Sequence, residues 1–441
     1  MAIKIGFVSL GCPKNLLDTE VMLGNLVGEG YEITPEAEEA DVVIINTCAF
    51  IESAKKESID NILDIAWLKE NGNLKGIIVT GCLAERYRDE VLKEFPEVDA
   101  VLGTGSVDKI ANAVKSVAEG KRFSSFEDKN EATLGGDRIV TTGESFAYLK
   151  ISEGCNNRCT YCTIPNIRGK FRSRPMDELL DEAKELCDMG IKEIILIGQD
   201  TTSYGIDLYG EYSLAKLIRR ISTETSVKWI RVLYCYPNKI TDELISEFKT
   251  NDKLLKYIDL PVQHISDKIL KKMNRKGDST LIRSVIKKLR EIDGMVIRST
   301  AIVGFPDESE EDFECLCEFV REVKFDRFGA FTYSREEQTP AYNFPNQIDE
   351  QVKQDRYDII MREQLAVTDE LNAKKIGTIL EVLCEGYDVV AETYYGRGYA
   401  DAPDIDGKIF FTSKRKIATG EFVKVKITDI INDYDLDGVA Q

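Results

Sequence analysis

The stretch Gly154-Cys155-Asn156-Asn157-Arg158-Cys159-Thr160-Tyr161-Cys162 decides how the rest of the chain is read. Its cysteines follow the pattern C-x3-C-x2-C, just past an apolar run at 147–151 that reads as a strand. Three thiolates in one compact loop can hold three irons of a cubane iron–sulfur cluster. Full ligation takes four cysteines and no fourth lies nearby, so one iron stays open for an atom of a substrate or cofactor. A zinc knuckle would want a fourth Cys or His, and His264 is the only histidine in the chain.

Outward from this loop a strand–helix rhythm runs to about residue 334. Strands are expected at 147–151, 193–198, 229–235, 257–261, 296–304 and 328–333, with helices at 177–189, 214–221, 242–250, 281–292 and 310–323. Six such units in a row predict a partial or complete parallel (βα) barrel. A charged helix follows near 349–375. The last 65 residues hold short β-like runs at 379–384, 392–395, 408–411 and 422–430, broken by Gly, Asp and Pro. They read as a small all-β barrel. On the amino-terminal side, apolar runs at 3–10, 42–47, 76–81 and 98–103 alternate with helical stretches such as 52–70 and 84–95. That pattern predicts an open parallel α/β sheet. The expected boundaries are 1–121 for this α/β domain, 122–145 for a polar linker, 146–375 for the barrel with its trailing helix, and 376–441 for the β-barrel.

Composition agrees with an ordinary globular protein. The 441 residues suffice for about three domains at roughly 150 residues each. Lys and Arg total 58 against 77 Asp and Glu, a net charge of −19, which argues against a general nucleic-acid coat. No stretch approaches the apolar length of a membrane span, and the start Met1-Ala2-Ile3-Lys4-Ile5-Gly6 reads as a strand, so the cytoplasm is the default compartment. There the 11 cysteines are expected to be reduced thiols, metal ligands or catalysts. A monomer is compatible with this composition.

A second constellation is spread over the amino-terminal domain. Cys12, Cys48 and Cys82 each follow one of its expected strands. The carboxyl ends of parallel strands line one edge of a sheet, where ligands bind, so three cysteines far apart in sequence can meet there. Three buried structural thiols are the other reading. The remaining cysteines, Cys187, Cys235, Cys315, Cys317 and Cys384, show no ligand spacing. Cys235 ends a barrel strand and could line its cavity.

The segment 154–165 resembles the cluster loop of the radical S-adenosylmethionine (SAM) enzymes, in which SAM chelates the open iron. Tyr161 matches the aromatic residue that family places before the last cysteine, near the adenine. Gly198-Gln199-Asp200 resembles its segment for the SAM amino group, and Ile302-Val303-Gly304-Phe305 its adenine segment. In the amino-terminal domain, Ser9-Leu10-Gly11-Cys12-Pro13-Lys14-Asn15, Asn46-Thr47-Cys48-Ala49-Phe50 and Thr80-Gly81-Cys82-Leu83-Ala84 resemble the methylthiotransferases of the radical SAM group. There the three matched cysteines hold a second 4Fe–4S cluster whose open iron carries the sulfur to be transferred. The carboxyl-terminal barrel resembles the family's TRAM domain, a substrate-binding module. The resemblance spans essentially the whole chain. It implies two 4Fe–4S clusters, SAM as radical precursor and methyl donor, and a flavodoxin or ferredoxin as electron donor.

This chemistry suits an unactivated C–H bond, whose hydrogen must leave as an atom; the cofactor carries that step while the protein positions and shields. Arg168, Arg172 and Arg174 follow the loop and read either as contacts to SAM or to an acidic group of the substrate, or as a solvated basic turn. His264 ends the fourth barrel strand, where it could move a proton, hold substrate or be structural. Asp307 and Ser309 stand where the family more often has Gly and Thr.

Two branches of the family differ in substrate. One modifies an adenosine of transfer RNA, the other the β-carbon of an aspartate in small-subunit ribosomal protein twelve. Gly11-Cys12-Pro13-Lys14-Asn15-Leu16 resembles the second branch. From Gly377 to Gln441 there are twelve acidic and seven basic residues, a balance of −5. An acidic module suits a basic protein partner better than a phosphate backbone. A cobalamin-dependent methyltransferase is disfavoured because residues 1–150 contain no histidine. A bare electron-transfer module would not need the six-unit barrel.

Overall fold

A computed structural model describes residues 3–441. The chain forms two compact units. The first takes residues up to 141, then 152–172 and 334–342; the second takes 142–151, 173–333 and 343–441.

The first unit is built on six parallel strands: β1 (Lys4–Ser9), β2 (Glu32–Thr34), β3 (Val42–Thr47), β4 (Gly76–Gly81), β5 (Ala100–Leu102) and β6 (Phe123–Ser125). Their order is β2-β1-β3-β4-β5-β6. β3 and β4 are buried along their whole length, as an apolar run in a sheet covered on both faces must be. Val43, Ile45, Ile77 and Val79 pack against Ile62 and Ile65 of the helix Glu52–Asn71. Ile44 and Ile78 share the opposite core with Met22 and Leu26 of the helix Pro13–Gly28 and with Val114 and Val117 of the helix Ile110–Ala118. The polar stretch 122–145 also supplies β6, which is three residues long and too short to show periodicity. The helix expected at 84–95 is two helices, Cys82–Tyr87 and Asp89–Glu94. Arg88 between them takes the left-handed conformation (φ 48°), which an α-helix cannot continue through.

The second unit carries β7 (Phe146–Lys150), β8 (Glu193–Ile197), β9 (Trp229–Val232), β10 (Leu254–Asp259), β11 (Val296–Val303) and β12 (Arg327–Thr332). They form one parallel sheet in sequential order, each joined to the next through helix. Of the two forms expected, partial or complete, the barrel is the partial one: six parallel strands whose edges, β7 and β12, do not pair. The trailing helix spans Glu350–Ala373 and is capped by Asp349, whose side chain accepts from the Gln351 backbone N–H. Five further strands close a barrel in the order β13 (Ile379–Asp388), β14 (Thr393–Arg397), β15 (Ile409–Thr412), β17 (Leu436–Ala440), β16 (Phe422–Ile430). β16 shows why the period is two: Val423, Val425 and Ile427 point into the barrel core, and Lys424, Lys426 and Thr428 point out.

Within this unit the small barrel docks on the amino-terminal ends of the parallel strands. Trp229, which opens β9, meets Phe422 edge-to-face with centroids 4.8 Å apart. Glu193, which opens β8, accepts from Arg231 and from Arg397 of β14. Tyr257 donates to Asp406 at 2.6 Å, and Arg327, which opens β12, pairs with Asp401.

Candidate metal centres

Cys12, Cys48 and Cys82 lie at the carboxyl ends of β1, β3 and β4, three neighbours in the first sheet. Thr47 pairs with Gly81, so Cys48 and Cys82 leave the sheet at the same level. Two glycines make the approach possible. Gly11 (φ 89°) lies so close to Cys48 that a Cβ there would stand 2.8 Å from Cys48 Cβ and 3.0 Å from its Sγ. Gly81 (φ 91°) has the Asn46 side chain and the Thr47 carbonyl in the space a Cβ would need.

The loop ends are tied by Asn15, a residue of the first cysteine motif to which the sequence alone assigns no role. Asn15 donates from Nδ2 to the Leu10 carbonyl at 2.7 Å and to the Asn46 carbonyl at 3.2 Å, joining the ends of β1 and β3. Ser58 of the helix Glu52–Asn71 accepts from the Cys48 N–H and donates to the Cys48 carbonyl, fixing that peptide. Cys12 is the N-cap of the helix Pro13–Gly28. Burial pushes its thiol up, but Lys14, Arg168 and the Asn15 and Lys14 backbone amides hold it below its ordinary value. Burial raises the Cys48 thiol and drives that of Cys82 up to about 12, against the pull of Arg168.

Arg168 does not form the solvated basic turn. It is buried in the amino-terminal site: Nη2 donates to Asn15 Oδ1 at 2.9 Å and to Cys82 Sγ at 3.4 Å, and Nη1 donates to Asp18. Arg172 donates to the Ala132 and Lys129 carbonyls. Arg174, in the second unit, is buried against Glu182 and the Lys150 carbonyl.

The C-x3-C-x2-C loop belongs to the same unit as Cys12, Cys48 and Cys82. It too is entered through a left-handed glycine. At Gly154 (φ 75°) a Cβ would stand 2.1 Å from the Lys170 carbonyl oxygen. The loop closes where the Cys155 N–H meets the Gly169 carbonyl at 3.2 Å, and the Cys162 N–H meets the Cys159 carbonyl at 3.1 Å. The Asn157 N–H donates to Cys155 Sγ, and the Thr160 carbonyl accepts from Ala341 of the returning segment 334–342. Cys159 is buried, whereas Cys155, Tyr161 and Cys162 are half-buried. That segment is itself pinned: Glu336 accepts from Arg86 at 2.7 Å, and Arg86 also donates to the Ala49 carbonyl beside Cys48.

No group of three His, Cys, Asp or Glu side chains among the described residues is arranged to hold a single metal ion, so the support for iron–sulfur clusters is the chemistry of the donor sets. Each triad offers three sulfurs, and the other five cysteines and His264 all belong to the second unit. The amino-terminal triad also has a buried guanidinium against thiols that must ionise to bind metal.

In the second unit, Gly198, Gln199 and Asp200 follow β8. Asp200 is buried; it accepts from Thr202 and Ser203 and pairs with Lys239. Val303 ends β11, and Gly304 (φ 72°) begins a turn whose N–H groups at 304 and 305 donate to Glu308 Oε2. Arg356 holds the other carboxylate oxygen at 2.9 Å. His264 is fully buried with Nδ1 accepting from the Ser266 N–H, and Nε2 stands 3.6 Å from Glu308 Oε2. It lies behind the 304–308 turn, and its Nε2 has no hydrogen-bond partner among the described residues. Its neighbour Gln263 was passed over. Gln263 takes φ 71°, donates its backbone N–H to Thr300, and leaves its side-chain oxygen buried without a partner.

Comparison with known proteins follows these features closely. Residues 4–103 match the model of an uncharacterized protein family, UPF0004; residues 149–320 match the radical SAM superfamily, and residues 376–440 the TRAM domain. The chain is 49% identical over 449 residues to the ribosomal protein uS12 methylthiotransferase RimO of Acetivibrio thermocellus, covering 99% of this chain and 98% of that one. It is 51% identical to RimO of Desulforamulus reducens, covering 99% of each. The chain belongs to the RimO family of radical SAM methylthiotransferases. RimO of Clostridioides difficile, 49% identical, covers 99% of this chain and 98% of its own length.

The likeness in fold reaches beyond RimO. A radical SAM methyltransferase, TsrM of Kitasatospora setae, solved with cobalamin and a [4Fe-4S] cluster, superposes with a TM-score of 0.57 at 15% identity, covering 77% of each chain. The structure accommodates both Asp307 and Ser309. Asp307 adopts φ 68°, a conformation suited to Gly, and is held there by Lys272 and Asn346. Ser309 caps the helix Glu310–Val323 in a capping box with Asp312.

Proposed function

We propose that the protein adds a methylthio group to the β-carbon of an aspartate in ribosomal protein uS12. The observation that carries this reading is the presence, in one unit, of two cysteine triads approached through left-handed glycines, on a chain with full-length RimO relatives. Cys155, Cys159 and Cys162 are the ligands of the cluster that binds SAM, and Cys12, Cys48 and Cys82 those of a second 4Fe–4S cluster. Bound there, the clusters and SAM supply hydrogen-atom abstraction from an unactivated carbon, the sulfur, and the methyl group.

The chain's own residues position and shield. Gly11, Gly81 and Gly154 let backbone and sulfur come close; Asn15 and Ser58 hold the strand ends that carry Cys12 and Cys48. Tyr161, Gly198, Gln199, Asp200, Val303 and Gly304 are the proposed SAM contacts. For Gly304 the support is a turn whose amides are fixed by buried Glu308; for Asp200, a buried carboxylate with a fixed orientation.

In domain terms, 1–121 carries the second cluster, 146–375 the SAM chemistry and 376–441 the substrate contact. The acidity of the last module is less than its count suggests. Glu385, Asp401, Asp406 and Glu421 are spent on arginines, leaving eight acids against five lysines without ion pairs among the described residues. The remaining balance still favours a basic protein over the transfer RNA of a MiaB-type enzyme. A flavodoxin or ferredoxin is the proposed electron donor, and a cytoplasmic monomer the working state. No helix among the described residues is long and apolar enough to cross a membrane.

The test is a competition. Anaerobically reconstituted protein with SAM, sulfide and a strong reductant is offered uS12 and unmodified transfer RNA together. Mass spectrometry is expected to find one added methylthio group on an aspartate of uS12. A gain on the RNA alone would overturn the substrate assignment.

A further inference from the structure

Arg168 is the one buried cation whose hydrogen bond reaches a cysteine of the amino-terminal triad among the contacts of the described residues. It sits six positions after Cys162, at the end of the short helix Ile164–Arg168 that follows the C-x3-C-x2-C loop. Its side chain nevertheless lies in the other triad, 3.4 Å from Cys82 Sγ. Asp18 and Glu153 receive Nη1, and Asn15 receives Nη2, so the guanidinium is fixed from three sides and its Nη2 edge faces sulfur. The buried structural arginines of the second unit, Arg231, Arg397 and Arg327, place their donors on carboxylates and carbonyls, whereas Arg168 also places one on sulfur.

We propose that Arg168 is a positioning and tuning residue that sets the reduction potential of the cluster held by Cys12, Cys48 and Cys82. The inference rests on the ligand assignment of the previous subsection. Reduction by one electron, taken from an external low-potential donor, places one more negative charge on iron and its ligand sulfurs. An N–H donor on a ligand sulfur favours that added charge and raises the potential, and a buried cation acts in the same sense because little water screens it. Asp18 opposes the effect by balancing the guanidinium. Because Arg168 belongs to the segment that carries the SAM-side cysteines, one stretch of fourteen residues from Cys155 to Arg168 serves both triads.

The experiment uses the full chain with Cys155→Ala, Cys159→Ala and Cys162→Ala, which leaves the amino-terminal cluster alone for observation. Iron content is measured first; absence of iron from this parent defeats the ligand assignment itself, separately from the role of Arg168. Midpoint potentials then come from a dithionite titration followed by electron paramagnetic resonance. Arg168→Gln is expected to lower the midpoint, Arg168→Lys to return it toward the parent, and Asp18→Asn to raise it. An unchanged midpoint in iron-replete Arg168→Gln overturns the proposal. If that variant takes up no iron, an unchanged or lowered midpoint in Asp18→Asn does so. Failure of both to load makes Arg168 an assembly requirement, which also overturns the tuning role.

Discussion

Glu193 and Arg397, 204 positions apart, form an ion pair with no exposure to solvent: Oε2 and Nη2 are 2.7 Å apart, and Arg231 holds the other carboxylate oxygen at 2.6 Å. One carboxylate thus joins two arginines, one on a parallel strand and one on the small barrel. Removing it leaves two buried guanidinium groups short of their counter-charge. Glu193→Gln is expected to destabilise the second unit by about 3–5 kcal/mol, the range for breaking a buried pair from one side. Denaturant unfolding followed by tryptophan fluorescence checks this, since Trp229 lies in the same contact. A loss under about 1 kcal/mol would show that the triad is dispensable.

The same pair sets a pH dependence. Burial pushes the Glu193 carboxyl up, but Arg231 and Arg397 outweigh it and hold the group below its ordinary value. A carboxyl depressed in the folded state contributes its full stability above the unfolded value, near pH 4.3, and loses it as the pH falls through the folded value. The wild type should therefore show a steeper fall of stability below about pH 4.3 than Glu193→Gln. Parallel limbs in the two proteins would refute this origin.

Gln263 offers a separation of stability from function. A non-glycine residue at φ 71° is strained, and such strain collects at sites of binding and catalysis. Its side-chain oxygen has no partner in the chain, so its removal deletes no internal hydrogen bond. Gln263→Ala is expected to change the melting temperature little while raising the SAM or substrate KM, or lowering turnover, by about tenfold, the worth of one hydrogen bond. Equal kinetics for both proteins would mark the strain as a feature of the fold alone.

Much of this was legible in advance because the decisive signals are local. The boundaries of β3, β4 and β16 coincide with their apolar runs, and the Gly-Cys pairs at 11–12, 81–82 and 154–155 are visible as dipeptides. What stayed hidden is made of long-range contacts. Arg168 looks like one of three basic residues after a loop, and nothing in its neighbours tells that its partners are Asp18, Asn15 and Cys82. Asn15 looks like an ordinary early-helix residue until the ends of β1 and β3 are brought to its amide. Short strands such as β2 and β6 are set by the sheet edge they join, not by their own three residues. The charge of the small barrel was countable, but the share of it buried in ion pairs was not.

Iron stoichiometry tests the two triads independently of turnover. Replacing Cys12, Cys48 and Cys82 by alanine should remove half of the iron of the reconstituted protein, and replacing Cys155, Cys159 and Cys162 the other half. Cys235→Ala should keep all of it. Cys235 belongs to the second unit, whereas both triads belong to the first, and its sulfur lies within hydrogen-bond reach of the Thr201 hydroxyl. Iron loss from Cys235→Ala, with the fold intact by circular dichroism, would contradict this assignment.

Asp307 gives the last test, on the turn beside Gly304. Its left-handed backbone would suit glycine, yet its carboxylate holds Lys272 and Asn346, which pull it below the ordinary carboxylate range. Alanine would keep the strain and lose the partners, whereas glycine would lose the partners and relieve the strain. Asp307→Gly should therefore be more stable than Asp307→Ala by about 1 kcal/mol, the cost of a left-handed L-residue. Both variants should leave Glu308 in place behind the 304–305 amides, because its partner Arg356 does not involve Asp307. Thermal unfolding of the two variants measures the difference. An order reversed, with alanine the more stable, would mean that the turn relaxes out of the left-handed region once the Asp307 side chain is gone.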